Sequence, residues 1–384
     1  ADQGLSPFNI GDNFQSTSLS KGQVHELYRE FAKDRGISID ENVIEDIFVK
    51  TNGHAGLVNI CGVAVDDSFR TLPDNQQVDM NHWATVENTL LTRMRDYGTF
   101  QRLIRDLMGE SERQVAALAY YRSRFLGNPG EMDVLDLNDR NLSGYLAALG
   151  VLNPGSGSGN SFGIASPLMD SFVRQLVIPV AYPDSPNILP PKRSNDSLDM
   201  LEVIKSALLF FDKDLIAQAS SLAYKEAHVF VDNLKEKHVP RESVYDSELT
   251  RILMNWLSSR NGYQVVGQYH IGSVYCDVVI RGGNKAPVPI ELLVTETAKS
   301  VQGHIDKTID YKNLISGASE GWVIHLTRED DYLQHPLWPT NSDLDAGISM
   351  IHIWHNKDFT DVRLSAKWKD LDGQTMTVEN ERVI

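Results

Sequence analysis

Three acidic residues lie on or beside strongly apolar segments between residues 244 and 324, and they constrain the fold more than any other feature of the chain. Glu248 lies on a predicted helix, Asp277 lies within Tyr-Cys-Asp-Val-Val-Ile, and Glu291 lies within Pro-Ile-Glu-Leu-Leu-Val. An acid in such surroundings is costly to desolvate unless it has a partner. The pattern therefore predicts a carboxylate cluster that binds a metal ion.

The segments around these acids indicate a mixed sheet flanked by helices. Fourteen residues separate Asp277 from Glu291, which is the spacing that a hairpin turn through 281–285 would produce. Strands that alternate with helices in this way are typical of a mixed-sheet α/β/α domain. The predicted elements, in chain order, are helices over 199–222 and 243–259, strands over 263–271, 274–280 and 288–295, a helix over 298–314, and strands over 322–326 and 350–354.

The first half of the chain is predicted to be mainly helical. Helices over 19–61 are interrupted by a tight Gly-His-Ala-Gly turn at 53–56, and four more helices follow. A Gly/Ser-rich hairpin over 150–166 then closes these helices, which favours a winged helix, a fold that often binds DNA. The helix before the hairpin carries little positive charge, so we favour a protein-packing module over base readout. Four prolines over 182–191 predict an extended connector rather than packed structure.

Charge and composition limit the partners that we expect. The net charge of −16 gives no long-range attraction for nucleic acid, so DNA binding needs a local basic patch or metal bridges. The two cysteines, Cys61 and Cys276, are far apart, which favours a reducing compartment over a disulfide scaffold. No apolar run is long enough to cross a membrane, and no signal-peptide pattern is present. The chain opens on Ala1, and we expect it to be a piece of a longer protein.

The segment Gly53-His54-Ala55-Gly56-Leu57-Val58 resembles the helical lid that follows the nucleotide-binding core of AAA and related P-loop ATPases. Ala55 replaces the usual proline of that turn. No Gly-x-x-x-x-Gly-Lys-Ser/Thr sequence occurs in the chain, so bound phosphates would have no backbone cradle. We therefore expect no ATP site in this chain and no ATP hydrolysis by it.

The three acids resemble, by position, the acidic residues of the PD-(D/E)XK nuclease superfamily. That resemblance implies that Glu248, Asp277 and Glu291 hold Mg²⁺ or Mn²⁺ and act on DNA, because these ions prefer carboxylate ligands and generate the attacking hydroxide. Cys276 stands where the motif has proline, and Leu293 occupies the position of the motif lysine. The implied activity is that of a metal-dependent endodeoxyribonuclease.

The missing lysine leaves catalysis to another cation. The motif lysine orients the attacking water and stabilises charge on the phosphate. Lys299 and Lys307 on the following predicted helix are the candidates to replace it. We prefer Lys307, because it shares one helical face with His304 and Tyr311 at spacings of three and four residues.

The chain as a whole resembles the Crinkler-type proteins of fungi and oomycetes, in which an ATPase helical arm is joined to a restriction-endonuclease-like domain. The resemblance rests on Gly53–Val58, Val239–Leu249, Ile290–Leu293 and His352–His355. It implies secretion into a host cell, action in the host nucleus, and DNA or a host protein as partner. The implied organisation is an ATPase-lid-like unit over 1–75, a winged-helix-like unit over 76–182, a Pro-rich connector over 183–198 and a PD-(D/E)XK nuclease-like domain over 199–384.

Two hypotheses about function, and one plain interpretation of the acids, remain open at this point. The first hypothesis is a metal-dependent nuclease, and the second is an inactive nuclease-like module that binds protein or DNA and is regulated by an ATPase outside this chain. On the plain interpretation the acids are separate, and Arg251 and Lys285 neutralise two of them.

Overall fold

The computed structural model describes residues 18–69, 77–155, 159–222, 224–272, 274–282, 285–332 and 336–384. It divides into one unit that runs to Ala181 and includes Gly272 and Val274, and a second unit formed by Tyr182–Ile271 and Tyr275–Ile384. The predicted tips of two hairpins, at 156–158 and 283–284, lie outside the described residues, as do parts of the predicted lid-like unit at 1–17 and 70–75.

The first unit is mainly helical, as the sequence predicts. The first helix begins at a capping box of Ser20 and Gln23 and ends at Gly36, which has a φ of 67°. Its helices are α1 (Lys21–Arg35), α2 (Glu41–Thr51), α3 (Ala55–Phe69), α4 (Met80–Asp96), α5 (Gly98–Leu107), α6 (Glu112–Arg124), α7 (Leu137–Ala148), α8 (Pro167–Phe172) and α9 (Ile178–Ala181), with a π-helical turn at Val173–Val177.

The predicted hairpin of this unit is present. Its described residues form five short strands, β1 (Ser38–Ile39), β2 (Gln77–Val78), β3 (Met132–Asp133), β4 (Leu152–Pro154) and β5 (Ser161–Ile164). Strands β1 and β2 pair in parallel, and β5 pairs antiparallel with both β3 and β4. The winged-helix assignment and the boundary at residues 75 and 76 stay predictions.

The second unit is built on a seven-stranded mixed sheet of order β14-β13-β12-β11-β10-β9-β8. Strand β10 is parallel to β11 and antiparallel to β9, and β12 is parallel to β11 and antiparallel to β13. The elements are α10 (Met200–Leu208), α11 (Lys213–Leu222), β6 (Tyr224–Glu226), β7 (His238–Pro240), α12 (Glu242–Leu253), a π-helical turn (Met254–Ser258), α13 (Ser259–Asn261), β8 (Gln264–Ile271), β9 (Val274–Gly282), β10 (Lys285–Val294), α14 (Ala298–Leu314), β11 (Gly321–Thr327), α15 (Asn341–Asp345), β12 (Ile348–His355), β13 (Val362–Lys369) and β14 (Thr375–Arg382).

Helices cover both faces of this sheet, and strand β10 shows how. Successive side chains of a strand point to opposite faces. Ile290 and Leu292 pack in the core that contains α10, α11 and α12, whereas Leu293 packs with Val301 and Ile305 of α14. The chain is therefore a multidomain α/β protein with a mixed-sheet α/β/α second unit, as predicted. Glu291, two residues before Leu293, faces α14.

The helix predicted over 199–222 is wrong in one respect, because the segment forms two helices. The helix ends where the main-chain N–H groups of Phe210 and Phe211 donate to carbonyl oxygens three positions earlier. The side chain of Asp212 then accepts a hydrogen bond from the N–H of Leu215, and α11 begins there. The N–H of Asp212 is itself bound by Glu248 at 2.9 Å. A capping acid fixed by a tertiary contact therefore outweighs a continuous amphipathic pattern.

Two further differences concern the connector and the end of the chain. The proline-rich segment is extended as predicted, but it is packed, since Ser185 is buried and the carbonyl oxygen of Ile188 accepts a hydrogen bond from Trp256 at 2.7 Å. Strands β13 and β14 extend the sheet beyond the last predicted strand. Among the described residues, none of the helices has the length and apolar character that a bilayer crossing requires.

Candidate metal centre

Asp277 lies where the pairing of β9 with β10 ends. The last paired residues are Val278 and Ile290, and beyond them Oδ2 of Asp277 accepts a hydrogen bond from the main-chain N–H of Leu292 at 2.8 Å. Oδ1 accepts a second one from the side-chain amide of Gln268 on β8 at 3.3 Å. The carboxylate is therefore held in one orientation by two neighbouring strands.

Gln268 is a site residue that the sequence did not reveal. It has a φ of 51°, in the left-handed region that non-glycine residues rarely occupy within a strand. Such a conformation costs free energy and persists where the surrounding structure enforces it, often at functional sites. No residue pattern in β8 marks this position, because the conformation depends on the pairing of β8 with β9.

Glu291 lies one strand away and is almost fully buried, with 4% of its surface exposed. Its Oε1 lies 2.8 Å from Nδ1 of His304 and 3.8 Å from Nζ of Lys307, both on α14. Its buried Oε2 accepts no hydrogen bond from an N–H or hydroxyl group of the described residues. One oxygen is thus occupied, and the other keeps its capacity for a ligand.

Asp277 and Glu291 lie on the neighbouring strands β9 and β10, and their carboxyl groups act on each other's pKa. Burial and the charge of Glu291 raise the pKa of Asp277 well above its ordinary value. Burial raises the pKa of Glu291 to about 8, although the Lys307 ammonium acts in the opposite direction. Two adjacent acids with restricted access to solvent cannot both ionise cheaply, and a bound cation would remove that penalty.

Helix α12 brings two more acids toward this pair. Glu242 and Asp246 are four residues apart and therefore share one face of the helix. Burial and the charges of Asp277 and Asp246 raise the pKa of Glu242 to about 7. The charge of Asp246 acts on Asp277 and Glu291 as well. The first turns of α12 thus add negative charge beside the pair.

Glu248 lies elsewhere, which corrects the placement predicted from the sequence. It is fully buried, and its Oε2 lies 2.8 Å from Nη2 of Arg251 and 2.9 Å from the main-chain N of Asp212. Glu248 lies two residues after Asp246, about 200° further around the helix, and therefore faces the α10–α11 side. The ion pair with Arg251 agrees with the plain interpretation of this acid, whereas Lys285 pairs with Asp196 at 2.8 Å.

The lysine candidates differ in their positions. Leu293, at the motif lysine position, is fully buried against α14. Lys307 reaches Glu291, with a side chain that is 56% exposed and so is able to turn toward a ligand. Lys299 forms no ion pair with an acid among the described residues. Of the two, only Lys307 is brought to the acid pair.

The donor set suits a hard divalent cation. Mg²⁺ commonly binds one or two carboxylates and keeps several water molecules. In the described part of the second unit, no three Asp, Glu, His or Cys side chains bring ligand atoms within 4.8 Å of one another. The geometry thus fits an open site with the two ligands Asp277 and Glu291, and Glu242 and Asp246 further out.

The chain was compared with known proteins. No protein-family model matches it, and no curated protein matches it significantly. One solved structure, that of Can2 from Sulfobacillus thermosulfidooxidans in complex with cyclic tetra-adenylate, is similar with 12% sequence identity and a TM-score of 0.20. The match covers 87% of this chain and 76% of that chain. At this level of similarity the match supports no conclusion about fold or function.

Proposed function

We propose that the second unit is a metal-dependent nuclease that hydrolyses phosphodiester bonds of DNA. The observation that carries this proposal is the pair of acids on adjacent strands, the partly buried Asp277 and the buried Glu291. One oxygen of Glu291 receives no N–H or hydroxyl donor from the described residues, and a lysine ammonium lies 3.8 Å from the other. Perturbed acids beside a cation are frequent at catalytic sites.

Asp277 and Glu291 would hold Mg²⁺ or Mn²⁺. Such an ion, when bound, polarises the phosphate and lowers the pKa of a bound water molecule. Leu292 N–H and Gln268 orient Asp277, and His304 orients Glu291, so the two carboxylates need little reorganisation to bind a ligand.

Lys307 takes the role that the superfamily assigns to its motif lysine. Its ammonium group donates hydrogen bonds and stays charged at neutral pH. From α14 it is able to reach either a phosphate oxygen or the attacking water, and it stabilises the negative charge that develops on the phosphate. We assign Lys299 no part in this step.

A second candidate function is a nuclease-like module without catalysis, and the burial of Leu293 favours it. In that case the acids bind a cation or share a proton, and the unit binds protein or DNA. The Crinkler-type assignment, with delivery to a host cell and its nucleus and a regulating ATPase, is likewise a proposal that rests on sequence resemblance.

Cleavage of plasmid DNA with Mg²⁺ or Mn²⁺ tests the proposed function. We expect the full chain to cut, and Asp277→Asn and Glu291→Gln to reduce cutting to background while thermal unfolding stays cooperative. The matched control is Asp306→Asn, which replaces an exposed acid of α14 that is bonded to Gln302. No metal-dependent cutting by the wild-type chain, or full cutting by Asp277→Asn, rejects hydrolysis at the acid pair, and the acid pair then belongs to a non-catalytic module.

A further inference from the structure

We propose that the hairpin of β6 and β7, residues 224–240, binds single-stranded DNA beside the acid pair. This inference rests on the proposed function for its biological meaning, but the binding itself needs no metal ion and no hydrolysis. The observations that support it are the aromatic rings of the hairpin, its charge, its fixed tip and the attachment of its base beside the acids.

The hairpin exposes several aromatic rings. Tyr224 and His238 stack on each other, with ring centroids 3.9 Å apart and an angle of 17° between the rings. Tyr224 is 40% exposed and Phe230 is 51% exposed, and Nζ of Lys235 lies 5.0 Å from the centroid of the Phe230 ring. Exposed rings next to cations are the elements with which proteins bind unpaired bases.

The charge of the hairpin differs from that of the chain. Residues 224–240 contain three Lys against three Asp and Glu, whereas the whole chain contains 36 Lys and Arg against 52 Asp and Glu. The hairpin is therefore electrically neutral in a strongly acidic protein. A neutral segment repels a polyanion less than the rest of an acidic chain does.

The hairpin is attached at the candidate site. Nζ of Lys225 lies 2.5 Å from Oε1 of Glu296, which follows β10. The Lys225 charge also acts on the pKa of Glu242 and of His304, so the base of the hairpin lies beside the acids. A strand bound along the hairpin would consequently continue toward Asp277 and Glu291.

The tip of the hairpin is fixed. Val231 and Leu234 exchange main-chain hydrogen bonds, and Asp232 and Asn233 between them have φ values of 50° and 62°, which suit a tight two-residue turn. The carboxylate of Asp330 accepts hydrogen bonds from the N–H groups of both turn residues, at 2.9 and 2.6 Å. Held in this way, the hairpin loses little entropy when a ligand binds.

These features favour a single strand over a duplex. Duplex binding depends on many phosphate contacts, and this hairpin offers few cations in a chain with a net charge of −16. Stacking needs a free base face, which a single strand has along its length and a duplex has only at its ends. The rings thus supply the affinity that the charge cannot supply.

Fluorescence anisotropy with a labelled oligothymidylate of about 12 nucleotides, a length within the range that single-strand-binding folds cover, tests the proposal. The full chain is titrated in EDTA, and a blunt duplex of equal length is the comparison. We expect tighter binding to the single strand, with a shallow salt slope of about 0.7, because Lys225 and Lys237 are paired with Glu296 and Asp232 and leave Lys235 to contact a phosphate. Tyr224→Ala and Tyr224→Leu should weaken binding by about 5-fold to 100-fold, as expected for one stacked base, and Tyr224→Phe should not.

The matched control is Tyr97→Ala, which removes a tyrosine of similar exposure, 41%, from the first unit. Equal binding of single strand and duplex, or Tyr224→Leu binding as tightly as wild type, overturns the inference. Because the titration contains no metal ion, its outcome is separate from that of the cleavage test. Binding without cleavage rejects only the proposed function, and cleavage with unchanged Tyr224 variants rejects only the role of the hairpin.

Discussion

Oε1 of Glu291 lies 2.8 Å from Nδ1 of His304, while Oε2 of the same carboxyl group accepts no hydrogen bond from an N–H or hydroxyl group of the described residues. One contact thus fixes the orientation of the acid without using its second oxygen. This is the arrangement expected of a metal ligand supported by an outer partner.

His304→Ala should weaken Mn²⁺ binding by about 10-fold to 100-fold, because outer partners of metal ligands contribute affinity of this size. Isothermal titration calorimetry measures the change. Gln302→Ala, which changes a half-buried residue of the same helix that is bonded to Asp306, should bind Mn²⁺ as wild type does. Unchanged affinity in His304→Ala would show that the histidine does not orient Glu291.

Lys307→Met should lower the rate of DNA cleavage by about 10²-fold to 10³-fold, the usual effect of removing one group that stabilises transition-state charge. Mn²⁺ affinity should not fall, because the lysine repels the cation. Single-turnover cleavage at saturating enzyme measures the rate. Lys299→Met provides the comparison, and a larger loss in Lys299→Met than in Lys307→Met would reverse our choice between the two lysines.

The raised pKa of Glu291 predicts how stability changes with pH in the absence of metal. The pKa is about 8 in the folded state and 4.5 in the ordinary acid, so the folded state binds more protons between these values. Protonation of Glu291 thus contributes to the free energy of unfolding. This contribution is present in full below pH 4.5 and is lost as the pH rises through 8. The loss amounts to a few kcal/mol, because a tenfold difference in proton affinity between the two states corresponds to about 1.4 kcal/mol. Glu291→Gln removes this dependence.

Urea unfolding of both proteins in EDTA, at about pH 5 and about pH 8.5, measures the difference. Burial lowers the pKa of His352 to about 4 and of His355 to about 3, and these residues give the opposite slope in both proteins. The informative quantity is therefore the difference in the free energy of unfolding between Glu291→Gln and wild type. The gain in stability of Glu291→Gln should be larger at the higher pH. An equal gain at both pH values would mean that Glu291 titrates normally.

Arg251→Met should destabilise the second unit by about 3–5 kcal/mol, because it removes the guanidinium group that pairs with the buried Glu248 carboxylate. Arg251 also donates to the carbonyl oxygens of Tyr182, Asp184 and Phe210, so the connector should become more accessible to protease. Mn²⁺ affinity of the folded fraction should not change. A loss of metal binding without a loss of stability would indicate that Glu248 belongs to the metal centre.

The sequence predicted the architecture of the second unit well, because alternating apolar runs and helical periodicity report which faces are buried. Asp277 and Glu291 lie together because a hairpin pairs the consecutive strands β9 and β10, and Lys307 lies 3.8 Å from Glu291 because α14 directly follows β10 and packs against it. The helix acid was misplaced because Glu248 looks equivalent to Glu242 and Asp246 until the phase of α12 against the sheet is known. His304 shares a helical face with Lys307, but its contact with Glu291 depends on tertiary packing, and nothing in the sequence neighbourhood of Gln268 distinguishes that residue.

Calorimetric titration of Mn²⁺ into the wild-type chain and into Asp277→Asn tests the central claim, that Asp277 and Glu291 form a metal centre, most directly. We expect one site per chain in the wild type, with protons released on binding because the carboxyl groups must ionise. In Asp277→Asn the binding heat should disappear, and in Asp306→Asn it should remain. Wild-type protein without a binding heat, or an unchanged isotherm in Asp277→Asn, would contradict the claim.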